Sequence, residues 1–309
     1  MIDKISVLFN PSAGKGRASG KKDRLEQALR EHGVAFDLVV TRSEEDLKAL
    51  VREQAGRYRT IAGAGGDSTF HIMANEIIRA GSDVRLGMIG IGSSNDIAKE
   101  FGLDSFDGAC RALSKGEGRK IDVGCIFQDG SPLRYYLGQM NIGLGAIVNQ
   151  YVEALAARKP SLAKRQTLAG LMGVVHAFRS GKIPLPLTVE SERGRIAGEY
   201  IVAVFCNLRY WATGRIIAPA ARPDDGRLDA CLIGKRSFVR LLVLASRSRR
   251  GRHVRAEEVE MLASPSFEIA SQETFEIQTD GEILGGYLKP DQFKKVIVSA
   301  IPRALNIIC

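Results

Sequence analysis

The sequence predicts two parts, an N-terminal α/β domain built on a parallel sheet and a C-terminal antiparallel β-sandwich domain. From residue 4 to about residue 103, short apolar or β-branched runs alternate with amphipathic polar stretches. This alternation is typical of strands joined by crossover helices, whose parallel sheet is covered on both faces. After about Gly118 the strand-like runs are mostly joined by turn residues, which favours antiparallel pairing. We therefore expect an α/β domain over 1–124 and a β-sandwich over 125–309.

Local patterns predict the elements of the first domain. The expected strands and helices are, in chain order, Ile5–Phe9, Lys21–His32, Val34–Val40, Glu44–Arg57, Thr60–Ala64 and Val84–Ile91. Gly33 is expected to end the first helix, and Ser43 is expected to cap the second, because serine side chains accept hydrogen bonds from helix N-termini. The last two strands are each followed by a glycine-rich turn and a further helix.

The second domain is expected to consist mainly of strands. The strand-like runs are Lys120–Phe127, Arg134–Ile142, Leu185–Ser191, Gly198–Asn207, Leu228–Ile233, Ser266–Ile269 and Glu273–Thr279. The stretch Glu153–Ser180 is the exception, since its pattern is helical, and the pair Lys159-Pro160 is expected to interrupt it. We also consider an arrangement in which the last strand packs back on the first domain.

Composition excludes several classes of protein. The 309 residues carry 44 Lys and Arg against 35 Asp and Glu, a formal charge of +9 that favours an anionic partner such as phosphate or a membrane surface. Five scattered cysteines without a C-x-x-C pair favour reduced thiols, and four isolated histidines disfavour zinc. Without a signal peptide or a spanning apolar run, a cytoplasmic protein is expected. An aromatic content of 6% disfavours a nucleic-acid platform.

Three turns stand where chemistry is expected, since ligands of parallel sheets bind beyond the carboxyl ends of the strands. These three glycine turns are residues 10–16, 63–69 and 90–96. Each follows a strand and precedes a helix, so its backbone N–H groups can face an anion. Neither common nucleotide fingerprint fits, because Gly14 and Gly20 are one residue too far apart for a P-loop and Asn95 replaces the third glycine of the dinucleotide motif. The turns predict a phosphate site of another kind.

An ordered series of motifs runs along nearly the whole chain. It comprises Asn10-Pro-x-x-Gly14, Gly65-Gly66-Asp67-x-Thr69, Gly92-x-x-Asn95-Asp96, Ile121-Asp122-Val123-Gly124, Asn141-x-Gly143-x-Gly145, Ala218-Pro219-x-Ala221, Asp224-Asp225-Gly226-x-Leu228-Asp229, Gly251-x-His253 and Asp280-Gly281-Glu282. Together these motifs resemble the diacylglycerol kinase catalytic-domain family, a group that includes bacterial lipid kinases, sphingosine kinases and ceramide kinases.

The resemblance implies an ATP-dependent lipid kinase that transfers the γ-phosphate of ATP to a lipid hydroxyl, most simply that of diacylglycerol. It implies a nucleotide domain similar in architecture to NAD kinase and phosphofructokinase, with ATP bound between the two domains. The implied nucleotide-binding residues are Asn10, Pro11, Ser12, Ala13, Gly14, Thr41, Gly65, Gly66, Asp67, Ser68, Thr69, Ser93 and Asn95. A structural magnesium site is implied at Asp225, with the backbone carbonyls of Arg222 and Arg227.

The resemblance also implies the catalytic carboxylates. Glu282 corresponds to the base that accepts the alcohol proton, and Asp67 to a carboxylate that holds magnesium or polarises the nucleophile. Both are expected in tight turns where a carboxylate contributes little packing. Ser68 replaces the usual glycine, so it would be strained if its φ were positive. His71 and Asn75 stand in a helix where the family usually carries Glu followed by Asn-Gly.

Two other functions stay open at this point. One is an NAD kinase-like enzyme, which shares the glycine and aspartate turn, although Asn10-Pro11 and Asp224-Asp225-Gly226 favour the lipid branch. The other is a nucleotide- or lipid-binding protein that has lost turnover, an alternative suggested by Ser68. A homodimer is also left open as an assembly.

A basic segment between Ala230 and Arg255 suggests a membrane contact. Its basic residues are Lys235, Arg236, Arg240, Arg247, Arg249, Arg250, Arg252 and Arg255, and its apolar residues include Phe238, Leu241, Leu242, Val243 and Leu244. Basic amphipathic segments bind anionic headgroups, so peripheral contact at the inner face of the membrane is expected. The alternative is a solvated arginine-rich face.

Overall fold

The computed structural model describes residues 4–159, 162 and 166–309, and it begins with the parallel sheet that the sequence predicts. Four strands lie in the order β2-β1-β3-β4, all parallel. The elements are β1 (Ile5–Phe9), α1 (Lys22–Glu31), β2 (Phe36–Val40), α2 (Glu44–Ala55), β3 (Thr60–Gly65), α3 (Asp67–Arg79), β4 (Arg85–Gly90), α4 (Asp96–Glu100) and α5 (Phe106–Lys115).

Burial explains why these segments form strands and helices. Every residue of β1 and of β3 is buried, as expected for central strands of a sheet covered on both faces. Helix α1 buries Leu25 and Leu29, which lie one turn apart on a single face. Helix α2 begins after Ser43, whose hydroxyl accepts the N–H of Asp46 at 3.1 Å, so the predicted cap is confirmed.

The rest of the chain is mainly antiparallel, as predicted. Its strands are β5 (Gly118–Gln128), β6 (Ser131–Tyr136), β7 (Gln139–Gly143), β8 (Leu185–Ser191), β9 (Gly194–Cys206), β10 (Tyr210–Trp211), β11 (Arg215–Ile216), β12 (Leu228–Gly234), β13 (Val259–Ser264), β14 (Ser266–Phe275), β15 (Ile277–Thr279), β16 (Glu282–Ile283) and β17 (Phe293–Ile308). Its helices are α6 (Leu144–Arg158), α7 (Gln166–Arg179) and α8 (Phe238–Ser248). None of the helices in the described residues is long and apolar enough to cross a membrane.

Three of the predicted elements differ from the structure. The run Arg134–Ile142 is not one strand, since the N–H groups of Leu137 and Gly138 are bonded to the Asp280 carboxylate rather than to a neighbouring strand. The run Glu273–Thr279 is divided between β14 and β15. The helical stretch begins earlier than expected, at Leu144, and α6 ends at Arg158. Of the predicted Lys159-Pro160 break, Pro160 lies outside the described residues.

The last strand connects the two parts of the molecule. Strand β17 pairs antiparallel with β5 and β14, and near its end Ile307 pairs in parallel with Leu86 of β4. Leu305 and Ile308 therefore belong to the core of the parallel sheet, whereas Val296 and Val298 belong to a second core formed by the antiparallel strands. A single strand thus contributes to both cores.

Candidate active site

The three glycine turns meet at one edge of the parallel sheet, beyond the carboxyl ends of β1, β3 and β4. The Asn10 amide donates to the hydroxyl of Thr69 at 3.0 Å, which joins the first turn to the second. The second and third turns touch through their backbones, because a Cβ placed on Gly92 would lie 2.6 Å from the Cα of Gly66. Only glycine permits this approach. The structure therefore brings together the turns that the sequence assigned to phosphate.

Side chains of the first turn build the turn itself. The Asn10 side-chain oxygen accepts the N–H of Ser12 at 3.0 Å, and Ala13 is buried beneath the loop. Pro11 and Gly14 complete this loop, and Gly14 has a φ of +63°. Thr41 lies beside them at the end of β2, where its hydroxyl donates to the carbonyl of Phe9 at 3.2 Å. Asn10 and Thr41 thus use their side chains to shape this edge of the sheet.

The third turn depends on a left-handed asparagine. Asn95 has a φ of 53°, a conformation that asparagine tolerates better than most residues, and its side-chain oxygen accepts the N–H of Gly92 at 2.8 Å. Ser93 accepts a hydrogen bond from the guanidinium of Arg17 at 3.3 Å, and Lys21 donates to the carbonyl of Ile91, also at 3.3 Å. Two cations that follow the first turn therefore border the third turn.

Asp67 is the first residue of α3, and its carboxylate caps the neighbouring helix α4. Its two oxygens accept the N–H groups of Asp96 at 3.2 Å and Ile97 at 3.0 Å. Burial raises the pKa of Asp67 to about 7, and the charges of Asp96 and Asp280 contribute to the rise. The expectation that Asp67 contributes little to the structure is therefore wrong, since its carboxylate satisfies the donors that open α4.

Asp96 in turn ties α4 to the small hairpin of β10 and β11. Its carboxylate accepts the N–H of Thr213 at 2.9 Å and that of Gly214 at 2.6 Å. Burial raises the pKa of Asp96, and these two hydrogen bonds oppose the rise. The side chain of Asp67 is thus held by a helix that the hairpin fixes from its other side.

Ser68 is not strained. It is the second residue of α3, exposed on the helix surface, and it is not among the residues with positive φ. The replacement of glycine by serine therefore keeps an ordinary helical backbone beside the glycine turn. Ser68 therefore does not meet the condition under which strain was expected, a positive φ, because the helix already begins at Asp67.

Glu282 is half-buried at the start of β16, directly after a turn with two left-handed residues, Asp280 at a φ of 47° and Gly281 at 100°. The Asn149 side-chain amide of α6 donates to the carbonyl of Gly281. The carboxyl of Glu153, an exposed residue on the same helix, has a raised pKa because of local desolvation and the charge of Glu282, and Lys15 opposes the rise. The charges of Glu282 and of Lys15 in the first glycine turn therefore both act on Glu153.

The loop of Asp225 lies elsewhere, against β5 and β17. The buried Asp122 carboxylate accepts the N–H of Gly226 at 2.7 Å and that of Arg303 at 2.8 Å. Asp225 itself is exposed and accepts the N–H of Arg227 at 3.0 Å. Nearby, burial and the charge of Asp225 raise the pKa of Asp229 to about 6.

The donor chemistry of this loop fits magnesium, which prefers oxygen ligands and retains several waters. The Asp225 carboxylate and the carbonyls of Arg222 and Arg227 form an all-oxygen set. Within the described ranges, no group of three or more His, Cys, Asp or Glu side chains is placed to hold a metal ion. An ion here would therefore depend on backbone carbonyls and water as well as on Asp225.

Several residues at the site received no role from the sequence. They are Lys15, Arg17, Lys21, His71, Arg134, Asn149 and Glu153. The cations Lys15, Arg17 and Lys21 had a visible signal, since they each follow a glycine in or just after the first turn. The others come from elements far apart in the chain, and no local pattern marks them.

Replacing Ser68 with glycine should lower stability. Glycine in a helix is less favourable than serine, so Ser68→Gly should reduce the free energy of unfolding by about 0.5 kcal/mol. Urea denaturation measures the change. Ser68→Ala is the matched control and should be at least as stable as the wild type. If the Ser68→Gly protein were more stable than the wild type, Ser68 would have to be strained in the folded protein.

The pH dependence of stability should report the buried carboxyl of Asp67. Its pKa of about 7 lies above the value of about 4 in an unfolded chain, so the folded state binds the proton more tightly. Stability from this group is complete below about pH 4 and is lost as the pH rises through about 7. In the protein without nucleotide, Asp67→Asn should therefore lose less of its Tm than the wild type between about pH 5 and about pH 8. Asp129→Asn, an exposed change of the same chemistry, should behave like the wild type, and equal curves for all three proteins would contradict the burial of Asp67.

Known proteins resemble this chain over nearly its full length. The diacylglycerol kinase catalytic domain matches residues 4–126, and the YegS C-terminal NAD kinase beta sandwich-like domain matches residues 138–309. A diacylglycerol kinase of Mycobacterium tuberculosis is 28% identical over 262 residues, covering 84% of this chain and 82% of its own. A diacylglycerol kinase of Bacillus subtilis is 22% identical over 296 residues, covering 94% and 93%.

The fold is shared with a solved structure as well. The crystal structure of a diacylglycerol kinase from Bacillus anthracis str. Sterne superposes with a TM-score of 0.69 at 15% identity, over 99% of this chain and 96% of the other. Since the second family match alone spans more than half of the 309 residues, it establishes the relationship. The chain belongs to the diacylglycerol kinase family of lipid kinases, with the catalytic domain of that family followed by its YegS-type C-terminal domain.

Proposed function

We propose that this protein is an ATP-dependent lipid kinase that transfers the γ-phosphate of ATP to the hydroxyl of diacylglycerol. The observation that carries the proposal is the convergence of the three glycine turns in a member of this family. Helix α3 leads from the second turn to the turn that carries Glu282, because His71 of this helix lies 2.9 Å from the Asp280 carboxylate.

The glycine turns supply the phosphate-binding part of the site. The backbone N–H groups at the N-terminus of α3, directly after Gly66, would hold the phosphates of ATP, since a helix N-terminus favours an anion. The N–H groups of Ser12, Ile91 and Gly92 are instead bonded within the turns and fix their shape. Lys15 and Arg17 add positive charge to the first turn. Asn10, Thr41 and Asn95 would act mainly by fixing the shape of these loops, because their side chains are bonded within them.

Glu282 is the group that would accept the proton of the lipid hydroxyl. As the hydroxyl oxygen forms its bond to the γ-phosphorus, the bond from that phosphorus to the β-phosphate oxygen breaks and ADP leaves. The proton passes to the Glu282 carboxylate, which is half-buried and therefore within reach of a substrate. Asp67, beside the second turn, would orient the nucleophile or hold a metal ion at the phosphates.

A magnesium ion would be held in two places. At the phosphates, where Asp67 would hold it, the ion would supply positive charge against the negative charge that develops during transfer. At the loop of Asp225, together with the carbonyls of Arg222 and Arg227, it would hold the loop that Asp122 anchors to β5. The second role is structural, because that loop is bound to β5 and β17 rather than to the glycine turns.

Glu282→Gln should abolish most phosphate transfer without unfolding the protein. Loss of a general base lowers kcat by at least about 10²-fold, while a half-buried side chain contributes little to Tm. The assay measures transfer from labelled ATP to diacylglycerol in mixed micelles with magnesium, and EDTA should stop it.

Glu273→Gln, an exposed change of the same type on β14, is the matched control and should keep wild-type kcat. Normal turnover by Glu282→Gln would remove Glu282 from the role of base. Transfer to NAD instead of to lipid would favour the NAD kinase-like alternative, and nucleotide binding without any transfer would favour a protein that has lost turnover.

An exposed surface around α8 would bring the enzyme to its lipid substrate. We call it the arginine surface, and its members are Val239, Leu242, Val243, Arg247, Arg249, Arg250 and Arg252. Val239 is 68% exposed and Leu242 46%, so apolar side chains protrude among the arginines. Apolar insertion combined with basic charge is the pattern of peripheral membrane contact.

Some residues of the basic segment do not belong to this surface, because they are buried or paired with acidic residues. Leu241 and Leu244 face the protein core, Arg240 pairs with the buried carboxylate of Glu258, and Lys235 pairs with Glu199. Burial of one face of α8 leaves its opposite face, with the arginine surface, to meet an anionic bilayer.

Binding to vesicles should therefore depend on anionic lipid. Each basic residue near such a surface contributes about 1 kcal/mol, so replacing Arg247, Arg249, Arg250 and Arg252 with Gln should weaken co-sedimentation by at least about tenfold. High salt should weaken the wild type similarly. The control replaces four exposed cations elsewhere, namely Arg24, Arg42, Arg193 and Lys294, with the same loss of charge. Equal weakening by both sets would show that only net charge matters and that the arginine surface is no docking site.

A further inference from the structure

Helix α3 touches both ends of the candidate site. Its first residue, Asp67, belongs to the second glycine turn, and His71 lies four residues later, about 6 Å further along the helix axis at 1.5 Å per residue. His71 is fully buried, and its Nδ1 lies 2.9 Å from a carboxylate oxygen of Asp280. Asp280 begins the turn that carries Glu282.

The hydrogen bonds around His71 assign its protons. Its Nε2 faces the Arg134 guanidinium at 3.3 Å. The Asn75 amide nitrogen lies 3.4 Å from Nε2 and donates to the carbonyls of His71 and Tyr135, both at 2.9 Å. Neither group can accept a hydrogen bond through those nitrogens, so Nε2 must be the acceptor. The proton of the neutral ring therefore lies on Nδ1, which donates to Asp280. In this tautomer the buried imidazole donates a hydrogen bond from α3 to the turn that follows β15.

Asp280 receives four hydrogen bonds in all. Besides His71, the N–H groups of Leu137, Gly138 and Gln139 donate to its carboxylate at 2.7, 2.8 and 3.0 Å. Leu137 and Gly138 lie between β6 and β7 and Gln139 begins β7, whereas His71 belongs to α3. Of the donors to this carboxylate, His71 is thus the one that comes from the helix of the phosphate-binding turn.

The position of Glu282 depends on this carboxylate. Asp280 and Gly281 both have positive φ, and a left-handed pair persists only where its surroundings hold it. Since the Asp280 side chain is fixed by four donors, the direction in which the next residues leave the turn is fixed as well. The link from His71 then sets how Glu282 stands relative to the glycine turn at the start of α3.

We propose that His71 is a positioning residue that ties the Glu282 turn to the phosphate-binding end of α3, an inference that rests on the proposed kinase function for its catalytic meaning. His71 itself is buried and does not touch substrate. It acts through Asp280, and Arg134 supports it by holding the ring in one tautomer. Misplacing a reacting group by about 1 Å can lower a rate about 10²-fold, so loss of this link should appear in kcat.

Three variants test the proposal. His71→Leu removes the donor, and His71→Asn retains an amide nitrogen near the position of Nδ1. Ile77→Ala removes a buried side chain from the same helix, away from the turn. We expect His71→Leu to lose about 10²-fold in kcat with KM for ATP close to that of the wild type. His71→Asn should recover most of this loss, and Ile77→Ala should lower Tm while retaining kcat.

Hydrogen exchange supplies a measurement that needs no activity. The amides of Gly281 and Glu282 should exchange faster in His71→Leu than in the wild type or in Ile77→Ala. If the Leu variant does not fold, His71→Gln replaces it, because its amide extends toward the Nε2 position instead. Nitrogen NMR of the wild-type imidazole should show a protonated Nδ1 and an unprotonated Nε2.

The possible results separate the two proposals. Unchanged exchange at the turn in the variant without the donor, or a kcat no lower than that of Ile77→Ala, would overturn the role of His71. Equal loss in the Asn and Leu variants would also overturn it. A wild type that transfers no phosphate to lipid would refute the proposed function, and the exchange and NMR results would then decide alone whether His71 holds the turn.

Discussion

The candidate site depends on the contact between the backbones of Gly66 and Gly92. Parallel strands bring their carboxyl ends to one edge, but a phosphate site needs the loops beyond those ends to converge. Convergence here leaves no room for a Cβ at Gly92, and the N–H groups of Ile91 and Gly92 both donate to the carbonyl of Gly65, at 2.8 and 3.1 Å. The rest of the site, from the Asn10 bond to the cap supplied by Asp67, is arranged around this junction.

Buried or half-buried carboxylates perform the corresponding task between distant segments. Asp67, Asp96, Asp122 and Asp280 each accept at least two backbone N–H groups from one or two segments far along the chain. A carboxylate suits this task because it accepts several hydrogen bonds at once, and charge-assisted bonds are stronger than neutral ones. Asp67, to which the sequence assigns a catalytic role, therefore also has a structural one.

The sequence predicts the fold well where its information is local. Continuous apolar runs predict the buried strands β1 and β3, and Ser43 predicts the start of a helix. Prediction fails where a distant residue decides. The break between β6 and β7 exists because Asp280, about 140 residues later, takes the backbone donors of that segment.

The same distinction holds for the site. The glycine turns and the Asp280-Gly281-Glu282 turn are contiguous motifs, so the sequence exposes them. The pair His71 and Asp280 is separated by 209 residues, and no spacing rule connects them. Ser68 shows the opposite error, because a motif comparison suggested strain at a position where the helix had already begun. The type of a residue alone does not reveal its backbone conformation.

The position of β17 has a consequence for how the chain folds during synthesis. The first domain's core includes Leu305, Ile307 and Ile308, which are synthesised about two hundred residues after β4. Strand β4 pairs with β3 on one side and gains its second parallel neighbour only when those residues arrive. The nucleotide-binding half therefore cannot complete its sheet as an independent early unit, even though it is encoded first. The free edge of β4 stays unpaired while about two hundred further residues are translated. At rates near 5–20 residues per second, this takes about ten seconds or more, during which the nascent chain must protect that edge.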